Sequence, residues 1–142
     1  LWGSACDKYV NQINILQKKA IRIISNAPYN ANTLPSFIEK GILKLKEIYH
    51  MHLAKYMFKM YNNTLPTPLC GQLITNSEVH NYKTRNAENP HLQPLRSNLA
   101  FRSIFQKGTQ IWYQIPDDLK HSNTLHLFSH RYKVHLFQRY KQ

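Results

Sequence analysis

The sequence predicts a mainly α fold: two long amphipathic helices, a loop-rich middle with little or no β structure, and a terminal helix. Three observations point there. Apolar residues return at steps of three and four along two stretches of the first half, 9–24 and 48–60, the period of one helix face. Proline and glycine fall beyond the ends of those stretches, at Pro28, Gly41, Pro66 and Pro68, and not inside them. Between residues 75 and 98 the period is lost in a polar run, and it returns around Trp112 and over 125–136.

The first helix is expected over about residues 6–26. Tyr9, Ile13, Leu16, Ala20, Ile23 and Ile24 fall at steps of three and four, which places them on one face. Asp7 in the first turn and Lys18, Lys19 and Arg22 towards the end suit the helix dipole, and Pro28 closes the helix. Thr33 is placed to cap a short helix over 34–40, which Gly41 ends. A second long helix spans 45–61, with Ile48, Tyr49, Leu53, Tyr56, Met57 and Met60 as a broad apolar face. Pro66 and Pro68 stop it, and residues 69–74 are expected to add one turn.

Residues 75–98 are read as loop, and loops of that length inside a compact domain are commonly functional. Phe101, Ile104 and Phe105, within 99–107, read as a short strand or extended arm before Gly108. Residues 109–114 around Trp112 are expected to be helical, and Pro116-Asp117-Asp118 starts another turn. The last helix covers about 124–140, with Leu125, Phe128, Tyr132 and Leu136 inside.

Length and composition narrow the function classes. With 142 residues, 42% hydrophobic and 12% aromatic, the chain is sized for one domain with a real core, which argues against wholesale disorder. It carries 19 Lys and Arg against 7 Asp and Glu, a net charge of +12. Charged residues are only 18%, against roughly 25% in an ordinary domain, so the excess comes from scarce acids. A polyanion is then the default partner, nucleic acid first and an anionic membrane surface second. AT-rich coding DNA, which enriches Lys, Asn, Ile and Tyr together, is the plainer alternative.

Two cysteines, Cys6 and Cys70, are too few for a disulfide framework or a four-thiolate zinc site. No apolar run approaches the roughly 20 residues of a membrane span, and residues 1–6 lack a signal-peptide pattern. The first methionine is Met51, so the chain reads as a piece of a longer, intracellular protein, nuclear or cytoplasmic.

Little here points to catalysis. Asp117 and Asp118 are the only adjacent carboxylates, and behind Pro116 they read as a helix start, where negative charge meets the dipole. His126, His130 and His135 share the last helix, but the matching second pair of a zinc site is missing. The four glycines are isolated, so no phosphate-cradling loop exists. What remains is basic surface. Lys8, Lys18 and Arg22 fall at helical steps away from the apolar face, while Arg85, Arg96, Arg102 and Lys107 interleave with Tyr82, Phe101 and Phe105. Cations beside rings can hold phosphates and stack bases. The bland alternative is the solvated side of any amphipathic helix.

Read in order, several blocks carry a more specific signal: Leu1-Trp2-Gly3; Leu16-Gln17-Lys18-Lys19-Ala20-Ile21-Arg22-Ile23-Ile24; Gly41-Ile42-Leu43-Lys44-Leu45; Asn62-Asn63-Thr64-Leu65-Pro66; Asn76-Ser77-Glu78-Val79-His80 with Thr84-Arg85; and Gly108, Trp112, Pro116 and Phe128. In this order they resemble the carboxy-terminal part of reverse transcriptases from jockey-like non-LTR retrotransposons, over nearly the whole chain. Tyr113 stands where that family usually has Asn, and Ile115 where it has Leu.

The resemblance implies an RNA-directed DNA polymerase whose Mg-binding catalytic palm lies upstream, so this segment is expected to be inactive by itself and to hold no cofactor. It implies that the first helix belongs to a thumb; with the residue pattern this divides the chain into a helical thumb-like region over 1–74, a polar loop and extended arm over 75–107, and a helical carboxy-terminal segment over 108–142 expected to form one compact unit with 1–74. Lys18, Lys19 and Arg22 match the family's helix residue by residue and take on its contact with the primer–template backbone. The partners implied are nucleic acid and the upstream polymerase domains, with no membrane and no small-molecule substrate. An alternative of another class is an interaction module whose apolar faces dock on that upstream polymerase, or a degenerate or co-opted remnant.

Overall fold

The computed structural model describes residues 5–69, 74–80, 82, 84–101 and 103–140. The chain is mainly helical: α1 (Asp7–Ile24), α2 (Leu34–Glu39), α3 (Leu45–Tyr61), α4 (Asn76–Val79), α5 (Asn98–Phe101), α6 (Ile104–Gln114), α7 (Asp117–Lys120) and α8 (Leu125–Gln138), with a 3-10 turn at Thr67–Leu69. Among the described residues the extended pairing amounts to one isolated bridge, Thr75 with Pro90. The chain divides into two compact units, residues 1–51 with 130–142 and residues 52–129, so the divisions fall inside α3 and α8.

In the first unit α1 stops where Asn26 turns left-handed, at φ 48, a conformation that Asn tolerates. The N–H of Ser25 donates to the Ile21 carbonyl and that of Ala27 to the Arg22 carbonyl, which closes the last turn before Pro28. The expected cap of α2 is corrected. Thr33 precedes the helix but its hydroxyl makes no capping bond; instead Asn32 Oδ1 accepts the Leu34 N–H at 3.0 Å. Gly41 ends this segment at φ 62, as the sequence predicts.

The beginning of α3 decides how α1 lies. Leu45 N–H donates to Gln17 Oε1 at 2.9 Å, Gln17 Nε2 donates to the Leu43 carbonyl at 2.9 Å, and Lys44 N–H donates to the Tyr140 hydroxyl at 3.0 Å. The amide of Gln17 thus serves open backbone groups at a helix start, which are expensive to leave unpaired when shielded from water. The side of α1 that bears Gln17 therefore faces inward, with Val10 and Ile21 as its buried apolar residues. Phe37, Leu43, Met51, Tyr132 and Leu136 are the other buried apolar residues of this unit.

In that arrangement the apolar face of α1 is not the one turned inward. Tyr9, Ile13, Leu16, Ala20, Ile23 and Ile24 are exposed, with Leu16 at 62% and Ile23 at 80%. At roughly 100° per residue, the apolar stripe lies about 100° around the helix from the buried side.

The second unit is built on an aromatic cluster. Phe58 stacks on Phe128 at 4.6 Å between ring centroids, and Trp112 lies 6.2 Å from Phe128 and 5.5 Å from Tyr61. Lys120 Nζ sits 5.8 Å from the Trp112 ring while bonded to Asp117 at 2.8 Å. This hydrogen bond and charge hold the Asp117 carboxyl below the usual carboxylate range. Asp117 and Asp118 open α7 directly after Pro116, in the position of a helix start.

Two expectations for this unit change. The described residues of 99–107 form no extended arm: α5 occupies their beginning and α6 starts at Ile104, with the Ser103 hydroxyl capping it by accepting the Gln106 N–H at 3.2 Å. Gly108 lies buried inside α6 and does not precede a helix; a Cβ there would come within 2.7 Å of Met57 Sδ. Glycine is what allows the α6 backbone so close to α3. The polar segment after residue 74 also has a definite arrangement. Asn76 Nδ2 donates to the Asn86 carbonyl and to the Tyr113 hydroxyl, each at 2.9 Å, and the Tyr113 hydroxyl donates to the Pro90 carbonyl at 3.0 Å. The turn expected over 69–74 falls largely outside the described residues; what is seen is the 3-10 turn that ends at Leu69.

Candidate nucleic-acid interface

The cations of α1 gather on one ridge. Lys8, Lys18, Lys19 and Arg22 fall within a sector of roughly 100°, beyond the exposed apolar stripe as seen from the core. Lys8 and Lys19 are exposed, while Lys18 is half-buried towards the inward side.

Arg22 is the most constrained of them. Its Nε donates to the Ala31 carbonyl at 3.0 Å, and its guanidinium carbon lies 5.9 Å from the centre of the Tyr29 ring. With Nε engaged, the two terminal nitrogens remain as donors of a planar fork suited to a phosphate. Its place in the last turn of α1 also offsets the negative end of the helix dipole, which would otherwise repel an anion.

Beside it opens a groove of ≈ 460 Å³ lined by Lys19, Arg22, Ile23, Asn26, Ala27 and Tyr29. Tyr29 stands 80% exposed at its edge. Two cations and an open ring thus share one concavity: the cations can bind a phosphate, and the ring is free to stack on a base. Reading the sequence missed Tyr29 and Asn26. The signal that would have found them is an aromatic residue directly after the Pro28 that follows a cationic helix end.

Of the remaining candidates, three are described in the second unit. Arg85, in the turn over 85–88, Arg96, before α5, and Lys107, on α6, are all exposed residues of the second unit. None of them lines that unit's cavity of ≈ 340 Å³, which includes Ile74, Pro90, His91, Leu95, Phe105 and Thr109. Arg102 lies outside the described residues. Of the rings expected among them, Phe101 and Phe105 are exposed, and Tyr82 stacks on His80 at 5.4 Å. Several lysines elsewhere are already engaged: Lys44 over the Tyr140 ring at 4.4 Å, Lys133 over Phe137 at 5.7 Å, and Lys40 with Glu39 at 3.0 Å.

Among the described residues no three His, Cys, Asp or Glu side chains gather so as to hold a metal ion. Asp117 pairs with Lys120 at 2.8 Å. Among the described residues no helix is long and apolar enough to cross a membrane. Compared with family models, with curated proteins and with solved structures, the chain matches none of them.

Proposed function

We propose that this chain is a nucleic-acid-binding, thumb-like segment of an RNA-directed DNA polymerase of the non-LTR retrotransposon kind, which holds a sugar–phosphate strand while upstream domains carry out synthesis. The groove that places Lys19, Arg22 and Tyr29 around one concavity is the observation that carries the binding part of this reading. The ordered sequence blocks carry the polymerase part, and with it an intracellular location and partnership with a palm elsewhere in the same protein. In this reading the segment has no catalytic residue and needs no metal; Lys19 and Arg22 neutralise phosphates, and Tyr29 stacks on an unpaired base. Recognition is then insensitive to base sequence, because phosphates and ring faces are common to every base.

The test is the salt dependence of binding, followed by fluorescence anisotropy on a labelled duplex and a labelled single strand. Losing two phosphate contacts flattens the log–log slope by about 1.8 on duplex and about 1.4 on a single strand. Lys19→Ala with Arg22→Ala is expected to show that change. Tyr29→Ala is expected to cost about 1–3 kcal/mol on the single strand and little on the duplex. A slope unaltered by the double substitution removes the groove from the interface and refutes the reading.

A further inference from the structure

The exposed stripe of α1 has a spacing that the fold does not use, and only its last residue, Ile23, reaches the nucleic-acid groove. Tyr9, Ile13, Leu16, Ala20 and Ile23 follow one another at four, three, four and three residues, the alternation of a coiled-coil seam. All five are exposed. Five seam positions on one helix, open over almost its whole length, match the contact surface of a second helix and not a loop or an extended strand.

The two rims of the seam differ. One rim carries Val10 and Gln17 and turns into the unit's own interior. The other carries Gln12 and Lys19 next to the seam, with Lys8 and Arg22 just beyond. Asp7 is the sole acid of α1. A helix laid on this seam therefore meets Lys19 on its one free rim, with Lys8 and Arg22 beyond and no acid there, on a chain whose net charge is +12. A second copy brings the same cationic rim and the same net charge, and so repels. A flat anionic bilayer needs both rims free, and one of them is closed by the fold.

We propose that the stripe on α1 is the docking seam for an amphipathic helix of a partner protein, apolar at its own seam positions and acidic at the positions that flank them. Apolar burial supplies the adhesion, and the pairing of acid with Lys19 and Lys8 selects the partner and its orientation. Lys19 and Ile23 also line the nucleic-acid groove, whereas Tyr9, Ile13, Leu16 and Ala20, the greater part of the seam, lie outside it.

The probe is a labelled designed peptide of about four heptads, with Leu at the seam positions and Glu at the flanking ones. Two controls accompany it, the same seam flanked by Lys and a scrambled peptide of the same composition. The acidic peptide is expected to bind at least about tenfold more tightly than either control. Leu16→Ser with Ile23→Ser, both at exposed positions, is expected to weaken it at least about tenfold with the helical circular dichroism unchanged. Lys19→Glu is expected to weaken the acidic peptide and strengthen the Lys-flanked one, an exchange that a loss of folding does not produce. Equal binding of the scrambled peptide overturns the proposal in favour of simple polyanion attraction. Self-association of the chain abolished by Leu16→Ser/Ile23→Ser assigns the seam to a second copy and overturns it too, as does competition by phosphatidylserine vesicles.

Discussion

Gly108→Ala sets two effects of opposite sign against each other at one position. In an open helix, alanine in place of glycine gains roughly 0.8–1.0 kcal/mol. At Gly108 the new Cβ would stand 2.7 Å from Met57 Sδ and 3.0 Å from its Cγ. Met57 is fully buried, so its side chain has no solvent into which to withdraw. Overpacking of a closed core costs about 1–3 kcal/mol. The clash wins by about 1 kcal/mol at the middle of these ranges, a fall in melting temperature of about 4 °C for a chain of this size. The sign reverses once Met57 is trimmed. Met57→Ala alone costs about 2–5 kcal/mol but removes the atoms that clash, so adding Gly108→Ala then gains about 1 kcal/mol. Urea unfolding of the four proteins, followed by circular dichroism, measures the cycle. If alanine at 108 stabilises in both backgrounds, the close approach of α6 to α3 is refuted.

Two further outcomes follow from the hydrogen bonds and burial described above. Burial lifts the Tyr132 hydroxyl from the ordinary 10.0 to about 12, so the folded state keeps this proton where the unfolded chain releases it. The stabilisation is complete below about pH 10 and is lost as pH rises towards 12, amounting to about 2–3 kcal/mol; Tyr132→Phe is expected to blunt the alkaline fall in stability, and an unchanged alkaline limb counts against the burial. Asn76→Ala removes the bonds to Asn86 and Tyr113 that tie the segment after residue 74 to α6, and is expected to speed tryptic cleavage after Arg85 by about tenfold for about 1.4 kcal/mol of local stability, with the melting of α3 and α6 little affected; equal cleavage rates would show that Asn76 does not hold the segment.

Much of the helical framework was legible because it rests on local chemistry. The positive φ at Gly41, the start of α7 behind Pro116, and the one-face spacing of Phe128, Tyr132 and Leu136 all follow from residues within a few positions of one another. The segment at 99–107 was misread because Phe101, Ile104 and Phe105 fit an extended arm as well as a helix, and the cap at Ser103 and the tolerance of Gly108 inside α6 depend on groups that no local pattern names. Tyr113 illustrates the same limit: its hydroxyl joins Asn76 to Pro90, residues far from it in sequence.

The candidate sites divide in the same way. That α1 is cationic on one side and apolar on another is a property of spacing, and the sequence alone determines it, as it does the basic balance of the whole chain. Which side α1 buries is a matter of tertiary structure. The open backbone groups at the start of α3 required an amide, Gln17 supplied it, and the apolar stripe was left facing water. The tertiary structure also lays Tyr29 beside Arg22 and makes a groove of separate residues. Periodicity states which face of a helix is apolar; the hydrogen-bond and packing partners that its neighbours offer decide whether that face is the one turned inward.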